Sequence, residues 1–402
     1  MRFVRRSTDR TPMISTLIAL AALAAGLYLI AFHGGFWRLT EHDRRFAPAD
    51  ATIPPGTRVV AIVPARDEAD VIATSLRSLL RQDFPGRFDI VLVDDESADG
   101  TADVARACAA AEGGADRLTV LSSRGPDRGW TGKLAAMHRG FDHVLALPEQ
   151  PDFVLFCDAD IAFEPPVLAR LVAGAMARGT VLSSLMVKLR CESRVERWFV
   201  PAFIFFFQKL YPFTRVNDPR SKVAGAAGGV MLVRPEALAR AGGLAAIRDA
   251  LIDDCALGAL MKTQGPIWLG LTDDVFSLRA YPSFADIERM VTRSAYAQLD
   301  YSPFQLLGAM AGMSVVYLAP PVLTIFGESP AREMTLVAWL IMAQAYMPSL
   351  RFYGLSRMHA FALPAVAACY TWFTALSAWR HLRGRGGEWK GRYQARQEQP
   401  TP

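Results

Sequence analysis

The sequence predicts an α/β domain with a mainly parallel sheet, flanked by transmembrane helices. Through the middle of the chain, short β-branched runs alternate with amphipathic segments, the pattern of a sheet covered by helices. The 402 residues are 51% apolar, enough for a soluble core with apolar sequence left over. That surplus is concentrated at the two ends, at residues 13–32 and after Asp300, as membrane anchors would be.

Taken in order, residues 13–32 form the first apolar run. Arg2, Arg5, Arg6 and Arg10 precede it and Trp37 and Arg38 close it, without a small-residue cleavage site; this reads as an uncleaved anchor occupying residues 1–46. Residues 47–57 contain Pro48, Pro54 and Pro55 and read as a linker. Strands are expected at 59–63, 90–93, 118–121, 153–156 and 181–187, and helices at 68–82, 102–111, 133–145 and 166–177. With no internal repeat, residues 58–282 form one domain. Residues 198–210 (WFVPAFIFFFQKL) are strongly aromatic yet too short to span, and fit either an interfacial segment or a core helix. Residues 283–303 read as an amphipathic interfacial helix with Ile287, Met290, Val291 and Ala295 on one side. Three apolar stretches at 304–326, 334–350 and 359–379 are each about long enough to cross ~30 Å of hydrocarbon. They make 304–380 the C-terminal transmembrane region, followed by a basic tail at 381–402.

The net charge of +5 is modest, and the arginines cluster beside the apolar segments, so nucleic acid is excluded as a partner. A transporter is excluded too, for want of spans and intramembrane charges. The five cysteines form no C-x-x-C pair, which fits buried thiols in a reducing compartment.

Five motifs carry the chemistry: Pro64-Ala-Arg-Asp-Glu68, Asp94-Asp-Glu-Ser-Ala-Asp-Gly-Thr101, Gly129-Trp-Thr-Gly-Lys133, Asp158-Ala-Asp160 and Asp253-Asp254. Several follow predicted strands, and ligands of open α/β sheets collect beyond the strands' carboxyl ends. Asp158 and Asp160, delivered by the apolar run 153–157, suit a hard divalent ion bridging two phosphates, although acidic residues after strands are also common in turns. Asp94 and Asp95 fit acceptors for a nucleobase imide or a ribose hydroxyl, or a plain strand-to-helix turn with Asp99 as N-cap. Lys133 opens a helix after a glycine-bearing loop, where it can face phosphate oxygens; the spacing is not that of a Walker loop, and a surface lysine is the plainer reading. Asp253 and Asp254 begin a helix, serving either its dipole or proton abstraction from an acceptor hydroxyl.

Together and in this order the motifs resemble the family 2 inverting glycosyltransferases of the GT-A fold, from about Arg58 to Arg293. The resemblance implies that Pro64, Arg66, Glu68, Asp94 and Asp95 hold the nucleotide, with Lys133, Asp158 and Arg293 toward the diphosphate. It implies a divalent metal, Mg2+ or Mn2+, at Asp158 and Asp160, and a catalytic base at Asp254 with Asp253 in reserve. Gly129–Lys133, Gly225–Pro235 and Tyr296–Pro303 look like the hopanoid-biosynthesis-associated glycosyltransferases, relatives of ceramide glucosyltransferase, which places Trp130, Gly228 and Gly229 on the acceptor side. Processive synthases carry Q-x-x-R-W where this chain has Met290-Val-Thr-Arg293-Ser294; the missing tryptophan argues against processive synthesis.

What the resemblance implies is a multi-pass enzyme of the cytoplasmic membrane, moving a sugar from a nucleotide-diphosphate donor, UDP by family habit, to a lipid acceptor such as a hopanoid. The alternatives are a polyprenyl-phosphate glycosyltransferase, or an inactive membrane scaffold that keeps the nucleotide fold. A cytoplasmic donor places the catalytic domain in the cytoplasm, yet three C-terminal spans would then export a tail bearing Arg380, Arg383, Arg385, Lys390, Arg392 and Arg396, against the positive-inside tendency. A re-entrant 304–326 segment, interrupted at Pro320-Pro321, would reconcile the two.

Overall fold

The computed structural model describes residues 10–389 and 392–393. It divides into two compact units. The first comprises Thr40–Arg190, Phe213–Ala280 and the chain from Gly387. An eight-stranded sheet organises it: β1 (Arg58–Ala65), β2 (Arg87–Asp94), β3 (Leu118–Ser122), β4 (Phe153–Cys157), β5 (Ile161–Phe163), β6 (Leu182–Lys188), β7 (Val230–Val233) and β8 (Ile267–Ser277). The order across the sheet is β3-β2-β1-β4-β7-β6-β8-β5.

β1 pairs parallel with β2 and β4, and β2 with β3. β7 is antiparallel to both β4 and β6, so β6 runs the same way as β4, and β8 is parallel to β6. Only β7 and the edge strand β5 run against the rest. The carboxyl ends of β1, β2, β4, β6 and β8 therefore lie along one edge, which the amino end of β7 also reaches, Val230 being paired with Cys157. The strands β1, β4 and β7 are buried along almost their whole length, the continuous apolar pattern of strands covered on both faces. Helix Gly132–Leu145 lies on β1, where a Cβ on Gly140 would come within 2.5 Å of Ile62; only glycine permits that approach.

All five expected strands and four expected helices form, with ends shifted by a few residues; helix 68–82 shortens to Ile72–Leu80 because Asp67, Glu68 and their neighbours belong to a loop. Thr40–Phe46, expected with the anchor, packs into this unit: Phe46 stacks on Trp268 with ring centroids 3.9 Å apart, and Asp43 is 2% exposed.

The second unit, Met1–Leu39, Cys191–Pro212 and Tyr281–Gly386, is helical over its described residues. By length and composition, three of its helices can cross a membrane: Pro12–Phe32, Pro303–Phe326 and Arg357–Leu382. These are the proportions of a multi-pass membrane protein. The expected span at 334–350 lies within helix Ala331–Phe352, one side of which is buried through Ala338, Met342, Tyr346 and Ser349. Pro303–Phe326 is not broken at Pro320-Pro321. A π-helical turn, Ser314–Leu318, joins Pro303–Met313 to Ala319–Phe326, and such a turn accommodates the N–H groups that proline lacks.

Helix Arg194–Leu210 opens with a capping box between Ser193 and Glu196 and buries Val200, Ile204, Phe205 and Phe206, while Trp198 and Leu210 are exposed. The core-helix reading thus holds for one side of it. The amphipathic helix is shorter than expected, Phe284–Thr292, capped by Ser283 and Asp286 and burying Ile287 and Val291; Arg380 ties it to helix Leu363–Leu382 through Glu288 and Thr292. The basic tail lies largely outside the described residues.

Candidate active site

The loops after β1 and β2 are stapled together. Asp67 N–H donates to Ser97 Oγ at 3.0 Å, Glu68 N–H to Thr101 Oγ1 at 2.9 Å, Ala69 N–H to Asp99 Oδ2 at 2.9 Å, and Ala98 N–H returns to Asp67 Oδ1 at 2.8 Å. Asp67 and Glu96 hold φ of 50° and 55°, a left-handed conformation that costs a non-glycine residue energy and is kept where the surroundings over-determine it. Asp99 is not the N-cap of the next helix. Gly100 occupies that position with φ 85°, and Asp99 instead accepts from Thr101 N–H at 3.0 Å from one residue earlier. Pro64 lies where β1 has run beyond its β4 pairing, which ends at Ile62, so its missing N–H interrupts no ladder on that side. Arg66 donates to the Asp95 carbonyl, Asp95 is fully buried, and Asp94 Oδ1 is a buried oxygen with no hydrogen-bond partner among the described residues. An acceptor left so is costly unless a ligand donor reaches it.

At the centre of the same edge stands Lys133. Helix Gly132–Leu145 presents it two residues after its cap, Thr131, whose hydroxyl accepts from Leu134 N–H at 3.3 Å. Its Nζ lies 2.8 Å from Asp158 Oδ1, just past β4, and 2.9 Å from Asp253 Oδ2, on the first turn of helix Asp253–Lys262. Burial pulls the lysine pKa down, but Asp158, Asp253 and Asp254 outweigh it, so the ammonium keeps its proton. Asp254 Oδ2 accepts from Gly228 N–H at 2.9 Å and Oδ1 from Cys255 N–H at 2.7 Å. Burial, then the neighbouring Asp253 charge, push its carboxyl up to about 6 despite Lys133 and the two N–H groups. Burial likewise raises Asp158, against the pull of Lys133. Gly228 sits tightly against the cluster: a Cβ there would stand 3.2 Å from Lys133 Nζ and 3.4 Å from Asp254 Oδ2, so a side chain would press on both.

Asp160 does not join that cluster. Its Oδ2 accepts from Arg279 Nε at 2.8 Å, and Arg279 Nη2 donates to Glu68 Oε1 at 2.9 Å. Sequence reasoning missed Arg279 because β8, which delivers it, was not foreseen: Asp273 and Asp274 interrupt its apolar run. Glu68, expected to touch nucleotide, accepts from this arginine. Among the described residues no three His, Cys, Asp or Glu side chains converge as a ready metal cage. The donor set nevertheless fits a hard divalent ion completed by a ligand. Asp158 and Asp160 each have one oxygen engaged by a cation, and the second oxygen of each has no hydrogen-bond donor among the described residues.

Of the acceptor-side expectations, Gly228 belongs to the central cluster. Gly229 packs against β6, where a Cβ would lie 2.8 Å from Val187, and Trp130 stacks on His138 with centroids 4.6 Å apart and planes 10° from parallel. Arg293 follows the amphipathic helix, exposed, in the helical unit.

Residues 60–242 match the Glycosyl transferase family 2 model. Over 130 residues the chain is 32% identical to the undecaprenyl-phosphate 4-deoxy-4-formamido-L-arabinose transferase of Klebsiella pneumoniae, covering 31% of this chain and 35% of that protein. Over 205 residues it is 26% identical to the 4,4'-diaponeurosporenoate glycosyltransferase of Staphylococcus aureus, covering 50% of this chain and 51% of that protein. The chain thus spans about half or less of the length of these curated relatives. Neither name mentions a hopanoid or a ceramide, so the kinship they support is the broader one, with transferases of lipid-linked sugars. The mannosyltransferase PcManGT from Pyrobaculum calidifontis, solved with GDP-Man and Mn2+, shares the fold at TM-score 0.52 and 21% identity, over 90% of this chain and 97% of that one. On the matched segment and the GT-A-like sheet that carries it, residues 60–242 form a family 2 glycosyltransferase domain.

Proposed function

We propose that this protein transfers a sugar, with inversion, from a nucleotide-diphosphate sugar to a lipid acceptor at the cytoplasmic face of the inner membrane, and that the acceptor class is a polyprenyl phosphate. The observation that carries the reaction is the cluster of Lys133, Asp158, Asp253 and Asp254 at one sheet edge, with three carboxylates around one ammonium. What supports this acceptor over the hopanoid suggested by sequence resemblance is the kinship with an undecaprenyl-phosphate transferase.

Asp94, with its unpaired buried oxygen, and Arg66 receive the nucleoside side of the donor. Lys133 lies where the diphosphate leaves, and its retained charge meets the negative charge that develops on the leaving oxygen. Asp158 and Asp160 would hold Mg2+ or Mn2+, which would neutralise diphosphate charge. Asp254, poised at about 6, holds the acceptor oxygen for in-line attack and accepts its proton where it carries one. The acceptor side of the site is assigned to Trp130, Gly228 and Gly229.

Detergent-purified protein, incubated with labelled UDP- and GDP-sugars, undecaprenyl phosphate and either Mg2+ or Mn2+, should form a glycosylated lipid. Asp160→Ala should lose metal-dependent donor binding. Failure to bind any common nucleotide sugar would return the chain to the inactive-scaffold reading. Transfer to hopanoid polyols but not to polyprenyl phosphate would restore the hopanoid acceptor.

A further inference from the structure

Three lysines of the sheet-containing unit have anionic or carbonyl partners: Lys133 meets Asp158 and Asp253, Lys188 meets Asp273, and Lys262 donates to the carbonyls of Arg215, Val216, Asp218 and Val223. Lys209, in the helical unit, has neither. It lies partly buried in the last turn of helix Arg194–Leu210. Its Nζ donates one long hydrogen bond, to Tyr317 Oη at 3.4 Å, touches Met313 Sδ at 3.6 Å, and stands 5.3 and 4.9 Å from the ring centroids of Phe206 and Tyr317. Among the described residues no carboxylate comes within ion-pair distance of it, and burial, with no charge to offset it, lowers its pKa to about 8. Ring faces and a thioether are weak partners for an ammonium with three donors to place. An ionisable side chain at membrane level without a charged partner points to function.

The level of this ammonium follows from its neighbours. His33 Nε2 donates to the Lys209 carbonyl at 2.7 Å, and His33 is one residue past Pro12–Phe32, a helix long and apolar enough to span; Trp37 and Arg38 follow it. The lysine backbone therefore stands at the boundary between hydrocarbon and water. From there Nζ reaches Met313 and Tyr317 of Pro303–Phe326, and Tyr317 belongs to the π-helical turn Ser314–Leu318, a feature that recurs at functional sites. The adjoining Leu210, and Phe32 beside His33, are exposed apolar side chains. We propose that Lys209, held by Phe206 and Tyr317, is a binding site for the phosphate of a membrane lipid, built from the helical unit alone. Lipid phosphates lie at this boundary, and a lysine binds phosphate as a point charge. The surroundings favour an anion that brings its own hydrocarbon over free phosphate, because the site is lined by rings and a thioether. The site does not depend on the transfer reaction: a glycerophospholipid of the bilayer and a phosphorylated acceptor both carry the group, and the probes below tell them apart.

The test is native mass spectrometry of the detergent-purified full chain, titrated with lipids in two pairs: phosphatidylglycerol with diacylglycerol, and undecaprenyl phosphate with undecaprenol. In at least one pair the wild type should bind the phosphate-bearing lipid about tenfold more tightly than its phosphate-free counterpart, the scale of one hydrogen bond to a charged group. Lys209→Gln should abolish that preference, Lys209→Arg should keep it, and nucleotide binding should be the same in all three proteins. The pair whose preference vanishes with Lys209 identifies the source, bilayer phospholipid or phosphorylated acceptor. A lysine with only a packing role would instead lower affinity for both members of a pair alike. Lys209→Met, which suits the surrounding rings, carries the same expectation if the glutamine variant does not fold. No preference for phosphate in either pair, a preference that survives Lys209→Gln or Lys209→Met, or an equal loss within a pair overturns the proposal. A wild type that binds no nucleotide sugar overturns the glycosyltransferase reading and not this one.

Discussion

Two charge clusters in the same unit use the same residue types and arrive at opposite electrostatics. At the sheet edge, Asp158, Asp253 and Asp254 surround the single ammonium of Lys133, and Asp158 and Asp254 have pKa values above the ordinary range. Beside β8, Asp43, Asp273 and Asp274 meet His42, Arg44, Arg170 and Lys188. Burial alone would raise Asp43 and Asp274 too, yet His42 and Arg170 on the first, and Arg44 and Arg170 on the second, bring both below the ordinary range. The number of cations decides the sign. The second cluster is closed, and it pins Thr40–Phe46 onto the sheet. The first is short of positive charge, which a protein built only for stability would have no reason to leave so, and perturbed carboxylates of this kind gather at functional sites.

The largest effect should come from making the imbalance complete. Lys133→Gln leaves three acids with no cation and removes the group aimed at the leaving diphosphate, and transfer should fall by about 10³-fold, the scale for losing one preorganised donor to developing charge. Single-turnover rates with donor binding measured separately would check it; a loss confined to donor affinity would place Lys133 in binding alone.

Breaking the closed cluster should do the reverse, costing stability and sparing chemistry. Arg170→Met leaves Asp43, which is 2% exposed, with His42 as its one remaining cation among the described residues, and removes a partner of Asp274. About 3 kcal/mol of stability should go, as when one member of a buried pair is deleted, while turnover per folded molecule should hold. Thermal melting and active-site titration of the same sample separate the two, and a turnover loss as large as that of Lys133→Gln would erase the distinction between clusters.

Asp254→Asn tests the open cluster from its acidic side. A polyprenyl phosphate reaches the site mostly ionised near neutral pH, since the second phosphate pKa is about 6, so the base has little proton to remove. The loss should be about 10²-fold, the lower end for general-base catalysis. A loss beyond about 10³-fold would argue for a hydroxyl acceptor.

Which parts of this contrast the sequence discloses depends on chain distance. The open cluster is legible because each acid follows an apolar run or opens a helix: Asp158 after Phe153–Cys157, Asp253 before Leu257 and Met261. Local patterns of that kind survive folding. Their pairing with Lys133 rests on contacts between residues far apart in the chain, and no periodicity encodes those. Arg279 was hidden for a related reason. Asp273 and Asp274 make β8 look polar, but each finds a cation in the fold, Lys188 and Arg170, so the strand tolerates them. β7 escaped notice as four residues behind a glycine-rich turn, and β5 as three, lengths at which pattern carries little information. Position along the chain places Thr40–Phe46 with the anchor, whereas Phe46 on Trp268 and Asp43 on Arg170 decide its place by packing.

Acidification should move activity and stability in opposite directions, and so separate the clusters without any mutation. Asp254 titrates at about 6, so turnover should fall as pH drops from 7 to 5, the carboxyl taking up a proton it must lack to act. The same shift has the other sign for folding. A carboxyl whose folded pKa lies above its unfolded value favours the folded state most below the unfolded value, and that contribution is lost as pH rises through about 6. His42, raised chiefly by its hydrogen bond to Asp43, also stabilises most when protonated and loses this as pH rises through its folded pKa. Asp43 and Asp274, both depressed, keep their stabilising contribution throughout this window and surrender it only as pH falls through their own lowered values, below the ordinary carboxylate range. From pH 7 to 5 the melting temperature should therefore hold or rise while turnover declines. Parallel melting and rate profiles on one preparation check this, and a melting temperature that falls in step with turnover would mean that acid acts by unfolding the closed cluster rather than by protonating the open one.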